Sequence, residues 1–202
     1  MTAFVEHSPF DPKKAVTFDL PNGQVRLASG ADDSHRETDN GRAVIVPAAA
    51  LGVLAAAAGE TASRELGRSI GRSLGARVHA RLDVRGGSLD AVVTELATEL
   101  ALVGLGTLSV ERWGRALIVC VSDSPLGGAT GDALLAAALE GMLSSASGRE
   151  LRTTPLAREG AQLRVLVGNV ASIERVIGWL AEGVSWGDAI TRLHAPREEA
   201  VS

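Results

Sequence analysis

The spacing of hydrophobic positions changes several times along the chain, and each change predicts an element. Leu66, Ile70 and Leu74 recur every fourth residue, which lines them along one ridge of an α-helix. Gly67, Gly71 and Gly75 recur at the same interval and make a smooth strip beside that ridge. Glycine in a helix interior costs about 1 kcal/mol relative to alanine, so such a strip requires tertiary contacts that offset the loss. Close approach of another helix, or of a second copy of this one, supplies them. Gly67, Ile70, Gly71, Leu74 and Gly75 are therefore the candidate dimer interface. The uncharged run from Ala43 to Gly59 is dominated by alanine and carries Pro47 near its start, so a buried helix is favoured there over a membrane span.

Upstream, residues 1 to 14 carry Pro9 and Pro12 beside charged residues and read as a loose arm. Val16, Phe18 and Leu20 then alternate with polar residues, Asn22-Gly23 follows, and Val25 and Leu27 resume the alternation. Asn-Gly between alternating runs is a β-hairpin signal, because both turn residues must accept positive φ. Asp32 to Arg42 holds no apolar side chain and reads as a linker.

Downstream, Arg85-Gly86-Gly87 breaks the helical pattern and Ser88 can cap a new helix on which Leu89, Val92, Val93, Leu96, Ala97 and Leu100 share a face. Leu108 and Val110 open a strand. Trp113-Gly114 makes a turn into Ala116 to Val121, whose continuous apolar character suits a strand buried on both faces. Thr130 is placed to cap a helix carrying Leu134, Leu135, Leu139 and Met142, which Gly148 stops. Apolar runs flanking Ala157-Arg158-Glu159-Gly160 predict another hairpin. Asn169 caps a helix through Leu180, Gly183 ends it, and Ser185 with Asp188 forms a capping box for a last helix from Trp186 to Leu193. The polar tail begins at Pro196.

Composition narrows the function classes. A net charge of −4, a pI near 5.6 and 3% aromatics without tyrosine argue against a primary nucleic-acid binder, which needs a basic face and stacking platforms. Cys120 is the only cysteine, so neither an intrachain disulfide nor a cysteine-based zinc site can form within one chain. The N-terminus lacks a basic region followed by an apolar one, and the reading is a cytoplasmic protein. Arginine replacing lysine nearly throughout, with abundant alanine and glycine, suggests a GC-rich bacterial genome.

Candidate chemistry is sparse. Gly67-Arg68-Ser69-Ile70-Gly71 and Gly71-Arg72-Ser73-Leu74-Gly75 both satisfy G-x-S-x-G, and Asp123 and His194 follow in the chain order of a hydrolase triad. A nucleophile elbow needs a strand before the serine, whereas these serines sit in a helical pattern, so a serine hydrolase is the remote alternative. Gly127-Gly128-Ala129-Thr130-Gly131 lies where a phosphate loop would, without the lysine of one and with Asp132 at the helix start. His7, His35, His79 and His194 are scattered, so no metal is expected. Arg64, Arg68 and Arg72 form a ladder near Glu60 and Glu65, read as a solvated salt-bridged face or as a surface for an acidic partner. Trp113 in a turn, with Trp179 and Trp186 on helices, are candidate partner-binding residues, since tryptophan is enriched at interface hot spots.

The order of elements carries a resemblance. Leu66-Gly67-Arg68-Ser69-Ile70-Gly71 on the long helix, Gly104-Leu105-Gly106-Thr107-Leu108 entering the hairpin, and Arg115 through Pro125 with the helix that follows resemble the 4-vinyl reductase domain. Relatives of that family include small subunits of TRAPP tethering complexes and sensory domains of aromatic-responsive transcription activators. The resemblance implies an α/β (α+β) fold, helices packed on an antiparallel sheet made from two β-hairpins. It also implies a helix-mediated dimer and an apolar cavity for a small molecule or acyl chain. It spans residues 41–168, between an N-terminal arm, hairpin and loop (1–40) and a C-terminal helical extension (169–202). Family members often carry cysteines near the last helix and hairpin, residues suited to holding a metal. Here Gly141, Ser144 and Thr153 occupy that region, so no metal or cofactor role carries over. Two expectations follow: a non-catalytic homodimeric adaptor or scaffold acting through protein contacts, or a sensor of a small apolar ligand lined by Leu96, Leu100, Ile118, Cys120, Leu135 and Leu139.

Overall fold

The computed structural model describes residues 16–19, 24–27, 42–82 and 88–195, and the chain divides into two compact units, 1–47 and 48–202. In the first unit β1 (Val16–Asp19), β2 (Gln24–Leu27) and β3 (Arg42–Ala43) form an antiparallel sheet in the order β1-β2-β3. Val16 pairs with Leu27 and Asp19 with Gln24, the register of the expected hairpin. Its Asn22-Gly23 turn lies outside the described residues, as do the arm 1–14, the polar segment from Asp32 to Gly41, the break at Arg85-Gly86-Gly87 and the tail from Pro196.

The second unit holds helices packed on a four-stranded antiparallel sheet built from two hairpins. The uncharged run and the glycine ridge form α1 (Ala48–Ala58) and α2 (Glu60–Arg81), but α1 is not the buried helix expected of it: of its residues Ala55 is buried and most of the rest are exposed. Gly59 between them takes φ 82°, a left-handed value that only glycine adopts without strain, and this breaks the helix. Ser63 secures the joint, its buried hydroxyl lying 2.5 Å from the Ala55 carbonyl and 2.7 Å from that of Gly59. Then follow α3 (Leu89–Leu102), β4 (Thr107–Trp113), β5 (Ala116–Ser122), α4 (Gly128–Ser147), β6 (Arg152–Glu159), β7 (Gln162–Gly168), α5 (Val170–Ala181) and α6 (Trp186–His194).

Caps fall largely where the pattern places them. Ser88 accepts from the Ala91 N–H, Asn169 from that of Ser172, and Ser185 from that of Asp188, each satisfying a donor that the first helical turn leaves without an acceptor. Two boundaries differ from expectation. The first turn of α4 starts at Gly128 with Gly127 as its cap, so Thr130 lies inside the helix. Trp113 pairs with Ala116, so the hairpin turns on Gly114-Arg115, with Gly114 at φ 61° supplying the positive dihedral such a turn requires.

The sheet order is β4-β5-β7-β6. The second hairpin docks β7 beside β5 and leaves β6 at the far edge, and α4 makes the connection over one face. That helix is buried from Leu134 to Met142 without interruption, as expected of a stretch apolar on every face but for Glu140, because the sheet lies on one side of it and α2 on the other. Residues of α2, α3, α4 and one face of the sheet form one core. α5 and α6 cover the opposite face with a second, smaller core. Among the described residues no helix is long and apolar enough to cross a membrane.

Candidate functional site

The glycine strip meets α4 of the same chain. A Cβ added at Gly67, Gly71 or Gly75 would overlap the carbonyl oxygens of Leu134, Ala138 and Met142 respectively, and one at Gly141 would overlap the carbonyl of Arg68. The two backbones therefore lie in van der Waals contact along several turns. The expected interface set of Gly67, Ile70, Gly71, Leu74 and Gly75 is corrected accordingly. All but Ile70 are buried within one chain, and Ile70 is half-buried. Leu66, at the start of the ridge, is left 39% exposed.

The six residues expected to line one pocket separate into two groups. Leu96, Leu100, Leu135 and Leu139 are at most 3% exposed and share the core between the helices and the sheet. Ile118 and Cys120 lie in the other core, under α5 and α6. The cause is strand parity: successive side chains on β5 point to opposite faces, so Val119 and Val121, not their neighbours, join the leucines. Val165 and Leu163 on β7, directly opposite them, complete that wall. The parity was legible in the sequence; the face on which each helix would land was not. Burial, with the Glu111 carboxylate alongside, pushes the Cys120 thiol up to about 11, so it stays protonated and unreactive at neutral pH.

Two buried carboxylates lie on the helix side that sequence reasoning missed. Glu99, fully buried on α3, receives Arg77 with Nε at 2.8 Å and also Arg81 from α2. Glu140 on α4 accepts from Arg68 Nε at 2.6 Å, Arg152 Nη1 at 3.2 Å and the Thr153 N–H at 3.1 Å. Their signal was a lone charge inside an apolar face, in Leu96-Ala97-Thr98-Glu99-Leu100 and in Ala138-Leu139-Glu140-Gly141-Met142. Each is saturated with cationic or N–H donors, which suits fixing the register of α2 rather than proton transfer. The arginine ladder is thus only partly a solvated face: Arg72 pairs with Glu65 at 2.8 Å in the open, while Arg68 reaches inward.

The hydrolase constellation is not assembled. Ser69 and Ser73 are exposed in mid-helix on α2, whereas His194 ends α6 on the other side of the sheet. Its Nε2 accepts from the N–H groups of Arg115 at 2.7 Å and Ala116 at 3.1 Å, and its Nδ1 lies 3.0 Å from the Ile190 carbonyl. The imidazole thereby locks α6 onto the β4–β5 turn, where a Cβ at Gly114 would strike the ring. Asp123, just after β5, holds φ 55°. Among the described residues no group of His, Cys, Asp and Glu could hold a metal ion.

Trp113 and Trp186 meet edge to face, with ring centres 4.8 Å apart, and Trp113 stays 43% exposed. The Trp113 indole N–H donates to Glu111 at 3.1 Å. That hydrogen bond is the main reason the Glu111 carboxyl is held below its ordinary range, with Cys120 and Arg164 adding to it. Trp179 stands apart from this pair, with the Arg175 guanidinium 5.0 Å above its ring.

Beside His194 opens a cleft of about 640 Å³ whose lining includes Arg115, Ala116, Leu166, Asn169, Arg175 and Leu193. It is a concavity with an apolar floor and a cationic rim.

These features define an α+β domain, a four-stranded antiparallel sheet between a helical layer holding buried arginine–carboxylate clusters and a lid of two shorter helices. No protein-family model and no curated protein matches the chain. Among solved structures, it is similar to the phenol-responsive sensory domain of the transcription activator PoxR, solved with phenol. The TM-score is 0.55 at 16% identity, over 91% of this chain and 94% of that one. The likeness is one of fold.

Proposed function

We propose that this chain is a sensory domain with the 4-vinyl-reductase-like fold, which takes a small, largely apolar molecule into the layer between α3, α4 and the sheet and signals its presence to another protein. The observation that carries this reading is the similarity in fold, over nearly the full length of both chains, to a domain that responds to phenol. The layer itself agrees: Leu96, Leu100, Leu135, Leu139, Val119 and Val121 present only hydrocarbon, the lining that small-ligand sites favour. The test uses phenol and a series of alkylphenols as probes, with calorimetric titration and thermal melts. A bound ligand raises Tm by mass action, and Leu135→Trp, which fills the layer, abolishes the effect. The reading fails if no probe binds and native mass spectrometry of freshly purified protein finds no small molecule carried along.

A second reading, the homodimeric adaptor, draws support from exposed apolar side chains. Val53 on α1 is 69% exposed and Leu54 61%, on a helix without a single charge, and surfaces of this kind mark protein contacts. Light scattering of Val53→Glu/Leu54→Glu tests it: an assembly that the parent forms and the variant does not supports the adaptor, and identical masses remove it.

A further inference from the structure

We propose that the cleft between α5, α6 and strands β5 and β7 is a second binding site, for a small carboxylate with an apolar body. Arg115 and Arg175 line it, and no acidic side chain does. Among the described residues neither guanidinium forms an ion pair with a carboxylate, that of Arg175 lying against the Trp179 ring instead, whereas the arginines packed between elements, such as Arg68, Arg77 and Arg158, are each tied to one. Two planar cations at one rim match a carboxylate, which arginine grips through paired N–H donors.

The remaining walls select the rest of the ligand. Ala116, Leu166, Val167 and Leu193 are apolar, and His194 has both ring nitrogens engaged with backbone groups, so it offers a ring edge and no free donor. Asn169 uses its carboxamide oxygen to accept from the Ser172 N–H, which leaves its NH2 group as a neutral donor beside the two guanidinium groups. A volume near 640 Å³ admits a single-ring compound. The site opens on the face opposite the interior layer: Ala116, Leu166 and Leu193 belong to the core under α5 and α6, and of its apolar walls Val167 alone belongs to the interior core.

Benzoate is the probe, with phenol and inorganic phosphate as the two comparisons. In ¹⁵N-resolved NMR titrations of the full chain, benzoate is expected to shift the amides of Arg115, Gly168, Asn169 and Ser172, with a Kd of about 1 mM or tighter. Arg115→Gln and Arg175→Gln each weaken binding about tenfold or more, the consequence of losing a charge-assisted hydrogen bond. Arg192→Gln, an exposed arginine on α6 outside the cleft, leaves binding unchanged. All three replaced side chains are exposed, and thermal melts verify that the fold is intact. Phenol shifting interior amides but not these separates the two sites. Benzoate failing to bind, or binding equally well to Arg115→Gln and Arg175→Gln, overturns the proposal. Phosphate binding as tightly as benzoate overturns the assigned ligand class, because the apolar walls would then contribute nothing.

Discussion

Replacing Gly71 by alanine adds one methyl group, and the outcome depends on where it points. The new Cβ would lie 2.7 Å from the Met142 nitrogen and 2.8 Å from the Ala138 carbonyl carbon, and would overlap the Ala138 oxygen. Every obstacle is backbone, so no side chain can swing aside. Relief requires α2 and α4 to separate locally by about 1 Å or more, and a gap of about 1 Å already forfeits about half of each contact well along the seam. Those contacts include the neighbouring approaches at Gly67, Gly75 and Gly141. Overpacking that only backbone can relieve lies above the usual range of about 1–3 kcal/mol, at about 3–5 kcal/mol, and a gain of about 1 kcal/mol in helix propensity offsets part of it. The expected net loss is about 2–4 kcal/mol, a fall of roughly 5–15 °C in Tm. The internal controls are Gly52→Ala and Gly178→Ala, also in helices but with nothing within 4 Å of the added Cβ. These are expected to stabilise by about 0.5–1 kcal/mol. Tryptophan fluorescence is a suitable assay, because Trp113, Trp179 and Trp186 all lie in the unit 48–202 that contains the seam. A Gly71→Ala protein that melts at or above the parent temperature would refute the reasoning, since the seam would then not depend on glycine.

Three further predictions rest on other contacts. Glu99→Ala removes the buried carboxylate that holds Arg77 and one of those that hold Arg81, Glu95 being another, so a loss of about 3–5 kcal/mol is expected in urea unfolding. His194→Ala removes the acceptor shared by the Arg115 and Ala116 N–H groups. It should cost about 1–3 kcal/mol and speed amide exchange at those two positions before the rest of the sheet. The Cys120 thiol, with a folded value of about 11 against an ordinary value of 9.0, keeps its proton between those pH values while the unfolded chain gives it up. Stability should therefore fall as pH rises from 9 to 11, by about 2–3 kcal/mol from this group. Cys120→Ser lacks this contribution, and the parent should resist alkylation at pH 8 until unfolded; rapid native alkylation at that pH would contradict the burial.

Local hydrogen bonds explain why so much of the fold could be read in advance. Ser88, Asn169 and Ser185 cap helices by bonding to residues three positions away, and neither donor nor acceptor depends on distant chain. The same locality made the two hairpins and the double burial of β5 legible. The candidate site was legible only in part. Leu96 and Leu100, like Leu135 and Leu139, share a core because helical spacing puts each pair on one stripe. Pooling Ile118 and Cys120 with them ignored the alternation of a strand.

What residue order alone decided is therefore the set of elements, most of their ends, and the need of the glycine ridge for a close neighbour, all consequences of short-range geometry. Folding in three dimensions decided which neighbour it would be. α4 fills the strip, and Arg68 finds Glu140 across 72 residues of chain. The order β4-β5-β7-β6 puts two faces to different uses, helices α2 to α4 on one and the cleft with His194 on the other. Such pairings depend on which surfaces fit when the whole chain closes, and no periodicity along the chain encodes a partner far away along it.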